Sequence, residues 1–309
     1  MKTKVILAGL GVLTLVAVTS VLVLRQQQST TAAVNAGVKT FVVRGQVRSL
    51  DVTNRTVRIT HEAIPDYMPA MTMPFEVKDV AVLNGLAPGD EVQFELAVTD
   101  DDSWIAHVQK LGSAPPAEAA AAADASAAAL ADREAERVQV GETVPDFQLV
   151  DQDGRAIRLC EYRGRAVVLT FIYTRCPLPN FCPLMSKQFA ELEQRLNKEL
   201  PGRFHLLSIS MDPEFDTPAV LKEYASRYEA RAADWTFATG DAGQIDTVAQ
   251  LLGLYYVREN GLISHDLRTA LIGPDGRLVH LWKSNVWTPY EVQRRVRETL
   301  TGSQEVAVR

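Results

Sequence analysis

Cysteine is scarce in this chain, which has three cysteines in 309 residues. So small a number excludes a disulfide-stapled scaffold. Positive charge is also limited, because 32 Lys and Arg are outnumbered by 38 Asp and Glu, which leaves a net charge of -6. A nucleic-acid binder needs a basic surface to neutralise phosphates, so we expect no nucleic-acid partner. The content of 47% hydrophobic and 23% charged residues is typical of a globular chain.

One long uncharged run covers residues 5–24, directly after Lys2 and Lys4. A helix of this length spans the bilayer core of about 30 Å. The preceding lysines predict a single pass through the inner membrane, with the rest of the chain on the periplasmic or outward side. A cleaved signal ending near Ala36 is the alternative, although that position lies far beyond the run. We interpret residues 1–37 as a transmembrane anchor and its tether.

Residues 38–112 have the composition of a small all-β domain. Segments of strand composition, such as Phe41–Val43 and Val92–Leu96, are separated by turn signals. Many short strands in so short a domain favour a small closed barrel, because closure removes exposed sheet edges. The next segment has 13 alanines between Ser113 and Ala135 and only one large apolar residue, Leu130. We therefore interpret residues 113–137 as an Ala- and Pro-rich linker.

Residues 138–309 show a different pattern, in which strands alternate with helices. Ala166–Tyr173 is apolar on both faces, as in the covered centre of a sheet. A helix is predicted from Pro183 to Leu200, and Thr217-Pro218 begins another with a capping residue and a proline in the first turn. Pro274-Asp275-Gly276 indicates a hairpin between two late strands. This order of elements predicts a thioredoxin-like α/β domain.

Two of the cysteines, Cys176 and Cys182, lie between the buried strand and the helix that follows it. A helix N-terminus favours thiolate, which is both a nucleophile and a ligand for soft metals. Redox thioredoxins separate their cysteines by two residues, whereas five residues intervene here. His265, just before the predicted hairpin, is the candidate third ligand. Two thiolates and an imidazole suit copper, as Cu(I) or as Cu(II).

A second candidate site lies in the first domain, where His61 ends a predicted strand. Three of the six methionines, Met68, Met71 and Met73, follow within six residues of one another. Met71 and Met73 alternate, so on a strand they share one face. Thioethers are soft neutral ligands that select Cu(I) over hard cations. The cluster therefore predicts a Cu(I) site.

The second domain resembles the Sco/SenC family over about residues 138–301. The resemblance rests on the paired cysteines, Ser264-His265 and two further motifs, Val144-Pro145-Asp146-Phe147 and Ser210-Met211-Asp212-Pro213. It implies a role in delivering copper to the CuA centre of cytochrome c oxidase, with Cys176, Cys182 and His265 as ligands. Subunit II of the oxidase, or another cuproprotein, would be the acceptor. The family usually has three residues between its cysteines, so this chain departs from the pattern.

Residues 40–112 resemble the periplasmic CusF-like copper-binding domains, which are small barrels of the OB type. The family pattern is a His followed by Trp-Pro-x-Met-x-Met, and Met68-Pro69-Ala70-Met71-Thr72-Met73 matches it with Met68 in the place of Trp. The resemblance implies that His61, Met71 and Met73 bind Cu(I). A methionine at position 68 removes the aromatic cap and offers a third sulfur.

These observations predict a membrane-anchored periplasmic copper chaperone, a role that requires no catalytic turnover. Two alternatives remain open. One is a thiol–disulfide oxidoreductase that reduces oxidase cysteines, and the other is a copper-resistance protein in which both domains sequester the metal. Cys160 lies outside the motif and is interpreted as structural. Asp212 is interpreted either as a residue near the copper site or as a turn residue at a strand end.

Overall fold

A computed structural model describes residues 37–113 and 134–307 of the chain. The predicted anchor at residues 5–24 and residues 114–133 of the predicted linker lie outside these ranges. Within the two ranges, no helix has both the length and the apolar character needed to cross a bilayer. The described residues from Thr40 onward form one compact unit, which contains both folded domains.

The N-terminal domain is a five-stranded sheet with the strand order β3-β2-β1-β4-β5. The strands are β1 Lys39–Asp51, β2 Thr56–His61, β3 Met71–Glu76, β4 Asp90–Val98 and β5 Ser103–Ser113. Burial alternates strictly along β2 and β3, so every second side chain faces the interior. A short 3-10 helix at Val80–Leu83 connects β3 to β4. The predicted all-β domain is therefore confirmed.

The prediction of a closed barrel is wrong for this domain. Closure needs a continuous ladder between the outer strands β3 and β5, because only paired edges remove free N–H and C=O groups. Only one isolated bridge, between Val77 and Ile105, joins these two regions among the described residues. On β3, the Thr72 N–H donates instead to the Glu259 carboxylate, at 2.7 Å. The second domain thus satisfies part of the β3 edge.

The C-terminal domain has a seven-stranded sheet in the order β14-β13-β8-β9-β10-β6-β7 and a separate hairpin of β11 and β12. Its strands are β6 Gln148–Asp151, β7 Ala156–Arg158, β8 Ala166–Ile172, β9 Phe204–Ser210, β10 Trp235–Thr239, β11 Tyr256–Glu259, β12 Leu262–His265, β13 Thr269–Ile272 and β14 Leu278–Trp282. Its helices are α1 Cys182–Glu199, α2 Pro218–Ser226, α3 Ala242–Leu251 and α4 Pro289–Ala307, with a 3-10 helix at Leu159–Tyr162.

Strands β8, β9 and β10 run parallel, and antiparallel strands flank them on both sides. All seven residues of β8 are buried, as expected for a strand covered on both faces. The predicted cap of α2 is present, since the Thr217 hydroxyl accepts from the Val220 N–H at 3.4 Å. The predicted thioredoxin-like α/β architecture is confirmed. It places the end of β8, the start of α1 and the end of β12 beside one another.

Candidate metal centre

The segment between β8 and α1 carries both candidate cysteines, and a buried carboxylate fixes its start. Asp216 accepts from the Thr174 N–H at 3.0 Å and from the Thr174 hydroxyl at 2.5 Å. Its carboxylate also accepts from the Ser210 hydroxyl at 2.5 Å, at the end of β9. Two residues after Thr174, Cys176 is half-buried, whereas Cys182 at the first position of α1 is fully buried. The Asp216 side chain therefore links the ends of the parallel strands β8 and β9 and positions the start of the cysteine segment.

His265 completes a cluster with the two cysteines at the end of β12. Its Nδ1 lies 2.7 Å from the Asp266 carbonyl oxygen, which can only accept, so Nδ1 carries the proton. The Nε2 atom is then free to act as a ligand, and it lies 3.6 Å from the Cys182 sulfur. The ligand atoms of Cys176, Cys182 and His265 all lie within 4.8 Å of one another. This grouping matches the three residues that the sequence singles out.

The two thiols have opposite acid–base character. Burial alone would raise the pKa of Cys176, but hydrogen bonds to Cys182 and His265 outweigh it and hold that pKa well below its usual range. Burial and the neighbouring Cys176 raise the pKa of Cys182 well above its usual range. The expected thiolate is therefore Cys176, although Cys182 is the residue at the helix N-terminus. A half-buried thiolate beside a buried thiol can bind a soft metal or attack a disulfide.

Two aromatic residues that were not predicted from the sequence as part of the site contact the His265 ring. Tyr173 and Phe181 both contact it edge-on, with centroid distances of 5.7 Å and 5.8 Å. Both rings are buried, so they orient the imidazole and keep water from it. In the sequence, these two residues could have been recognised by their position beside the cysteines, in a chain with only 7% aromatic residues.

In the N-terminal domain, His61, Met71 and Met73 lie on the buried face of β2 and β3. His61 pairs with Met71 across the two strands. Its Nδ1 lies 2.7 Å from the Glu62 carbonyl oxygen, and its Nε2 is buried without a hydrogen-bond partner. Burial lowers the pKa of His61 and so favours the neutral ring. A neutral imidazole with an unpaired Nε2 beside thioethers fits a soft cation.

Met68 is buried too, but its position differs from that of the other two methionines. A bridge to Ile64 holds its backbone, with N–H to carbonyl distances of 2.8 Å and 3.0 Å. Met71 and Met73 line a cavity to which Met68 does not contribute. The role of Met68 as a ligand stays a prediction.

The cavity beside Met71 and Met73 is also the cavity beside Cys176 and His265. Its free volume is about 10 Å³, which is space for roughly one water molecule. The remaining walls are apolar or aromatic and come from Pro74, Tyr173, Pro177, Leu178, Phe181 and Ile263. Residues of both candidate sites therefore line one cavity, an arrangement that the sequence did not predict.

The remaining residues of interest lie away from this cavity. Cys160 is exposed. Asp212 forms an ion pair with Arg175, next to Cys176, at 2.5 Å. His205 is buried against Tyr162, and its Nε2 lies 2.9 Å from the Thr236 hydroxyl. None of these three belongs to the Cys–Cys–His cluster.

Two protein-family models match separate parts of the chain. The SCO1/SenC family model matches residues 135–301, and the model of the copper binding periplasmic protein CusF matches residues 40–110. A SCO1 protein homolog of Bacillus subtilis is 29% identical over 48% of this chain and 77% of its own length. A SCO2-like protein of Rickettsia felis is 31% identical over 43% of this chain and 65% of its own length.

A solved structure of Bradyrhizobium japonicum ScoI with copper bound is also similar, at 27% identity and a TM-score of 0.44. That match covers 51% of this chain and 99% of the other.

Proposed function

We propose that this chain, which belongs to the SCO1/SenC family, is a copper chaperone that carries the ion on Cys176, Cys182 and His265. The observation that carries the proposal is the convergence of their ligand atoms, which all lie within 4.8 Å of one another. Thiolate sulfur retains Cu(I), and the added imidazole makes Cu(II) tolerable. The copper ion is the cargo of this site.

The N-terminal domain is proposed to bind Cu(I) through His61, Met71 and Met73, with Met68 as a further candidate. The support is the buried, unpaired Nε2 of His61 across the strand pair from Met71. No thiolate or carboxylate belongs to this ligand set, so it offers little stabilisation to Cu(II).

The proposed destination of the copper is the CuA centre in subunit II of cytochrome c oxidase, or another cuproprotein acceptor. The proposed location is the periplasmic side of the inner membrane, held there by an anchor at residues 5–24. Both proposals follow from the family and from the apolar run in the sequence.

The test measures copper retention by the full chain and by Cys176→Ala/Cys182→Ala after dialysis against a Cu(I) chelator. The double variant is expected to lose the tightly held copper, while Ag(I) still binds to the N-terminal domain. Cys160→Ala is the matched control, because Cys160 is exposed and lies outside the cluster. Equal retention by the double variant and the control would exclude the proposed site.

A thiol–disulfide oxidoreductase is the second candidate, and a specific observation favours it. Cys176 is half-buried with a lowered pKa, and Cys182 lies buried behind it. In such a pair the outer thiolate attacks a substrate disulfide and displaces one of its sulfurs, and the inner cysteine then resolves the mixed disulfide. His265→Ala separates the two functions. Copper retention should be lost with the imidazole, whereas disulfide exchange should continue at a lower rate, since both sulfurs remain but His265 no longer lowers the pKa of Cys176.

A further inference from the structure

The segment between the two cysteines, Pro177–Phe181, contacts the N-terminal domain directly, and we call it the inter-cysteine loop. The Tyr67 hydroxyl donates to the Pro177 carbonyl oxygen at 3.0 Å. Ser103 and Asn180 exchange two hydrogen bonds, since the Ser103 hydroxyl donates to Asn180 Oδ1 at 2.6 Å and Asn180 Nδ2 donates to the Ser103 carbonyl at 3.1 Å. Ser103 and Asn180 are both buried, so loss of either partner leaves an unpaired polar group.

Further polar contacts join the two domains. Asn285 Nδ2 donates to the Glu76 carboxylate at 2.5 Å and to the Asn180 carbonyl at 2.8 Å. On the other side, the Arg58 guanidinium donates to the hydroxyl of Ser264, the neighbour of His265, at 3.4 Å. The N-terminal domain therefore forms hydrogen bonds both with the inter-cysteine loop and with strand β12, which carries His265.

This docking brings the thioethers of Met71 and Met73 to the same small cavity as Cys176 and His265. The free space holds about one water molecule, so a cuprous ion between the two ligand sets stays within reach of both. The remaining cavity walls are apolar or aromatic, so they offer the ion little competing polar surface.

We propose that Cu(I) passes directly from Met71 and Met73 to Cys176 and His265 across this cavity, while the inter-cysteine loop holds the two domains together. The proposal rests on the copper-binding function proposed above. In the exchange, a copper–thioether bond breaks as a copper–thiolate bond forms at Cys176, and the His265 Nε2 lone pair adds a second bond. Copper stays in the cuprous state, and any thiol proton is released to water.

The direction of transfer follows from ligand softness and charge. A thiolate carries a negative charge that a thioether lacks, so Cu(I) is held more tightly at Cys176 than at the methionines. The five-residue loop supplies both contacts with the N-terminal domain, through the Pro177 carbonyl and the Asn180 side chain.

The test follows how fast copper reaches the cysteines of the full chain. Protein in detergent is mixed anaerobically with one equivalent of Cu(I) bicinchoninate, and protection of Cys176 and Cys182 from alkylation is timed by mass spectrometry. Met71→Leu/Met73→Leu removes the thioethers with little change in volume. Tyr67→Phe/Ser103→Ala removes two of the docking hydrogen bonds. We expect each double variant to slow protection at least tenfold, with unchanged equilibrium copper affinity at the cysteines.

The matched control is Tyr290→Phe/Ser226→Ala, because both residues are exposed and lie outside the domain contact. In this control, copper should protect Cys176 and Cys182 from alkylation at the same rate as in the parental chain. Unchanged or faster protection in Tyr67→Phe/Ser103→Ala would overturn direct transfer, and faster protection would show that the N-terminal domain only covers the site. Absence of copper protection in the parental chain would instead count against the function proposed above. Alkylation of the metal-free variant supplies an independent readout, since undocking should expose Cys176 and speed its labelling.

Discussion

Gly45 is the position at which a single methyl group should disturb the N-terminal copper site without touching a ligand. It lies on β1 and pairs with His61 on β2. A Cβ atom at Gly45 would lie 2.5 Å from the Ile59 side chain and 2.6 Å from the Thr60 carbonyl oxygen. The second contact is about 0.8 Å shorter than the 3.4 Å at which ordinary contact begins. Since that oxygen belongs to the backbone, Gly45→Ala must displace β2.

The expected cost follows from the size of this overlap. Inserting a group into a packed site usually costs about 1–3 kcal/mol, and a backbone neighbour places this case toward the upper part of that range. The displaced strand ends at His61, whose Cα would lie 3.1 Å from the new methyl group. Metal sites tolerate ligand shifts of only about 0.2 Å, so we expect Ag(I) affinity to fall about 10–100-fold.

The assay is isothermal titration of Ag(I) into the full chain in a Cys160→Ala/Cys176→Ala/Cys182→Ala background, which removes all three thiols and leaves the N-terminal site. Urea unfolding of the same proteins measures the cost in stability. Gly112→Ala is the matched control in the same sheet, because its Cβ would meet only the Glu91 carboxylate at an ordinary 3.6 Å. If Gly45→Ala and Gly112→Ala bind Ag(I) and unfold alike, strand β2 does not position His61 as described.

Three further predictions concern the second domain. Burial lowers the pKa of His205 from 6.5 to about 3, so the neutral ring stabilises the fold above pH 6.5 and this contribution is lost as the pH falls. Urea unfolding should show a loss of about 2–3 kcal/mol between pH 7 and pH 4.5 that is smaller in His205→Gln. Asp216→Asn removes one acceptor from the Thr174 contacts and should cost about 1–3 kcal/mol in the same assay, and an unchanged midpoint would contradict its anchoring role. Alkylation at pH 7 should label Cys176 well before Cys182, and equal rates would refute the opposite pKa shifts.

The order of elements in each domain could be predicted from the sequence, because local patterns decide it. The wholly apolar run at Ala166–Ile172 becomes the buried strand β8. Thr217-Pro218 begins helix α2, where the threonine hydroxyl caps the helix. The late hairpin strands Thr269–Ile272 and Leu278–Trp282 flank the Pro-Asp-Gly turn as expected. In each case the signal and the structure lie within a few residues of one another.

The candidate ligands could also be predicted from the sequence, because the types and spacing of these side chains are visible locally. Their proximity in space depends on the fold. Cys176 and Cys182 stand at a strand–helix junction, and soft side chains cluster around Met71. The inclusion of His265 depended on the thioredoxin-like order of strands, which brings the end of β12 beside the start of α1. Its Nε2 indeed lies 3.6 Å from the Cys182 sulfur.

Only the tertiary structure decided how the sheet edge is satisfied and where the two sites lie relative to each other. A closed barrel was expected from strand composition, yet the Thr72 N–H on β3 pairs with Glu259 of the other domain. Strand composition sets which segments extend, but long-range partners set which edges pair. The contacts of Tyr67 with Pro177 and of Ser103 with Asn180 likewise join residues far apart in the chain. Such contacts depend on the complementarity of two folded domain surfaces, which cannot be predicted from a local pattern of residues.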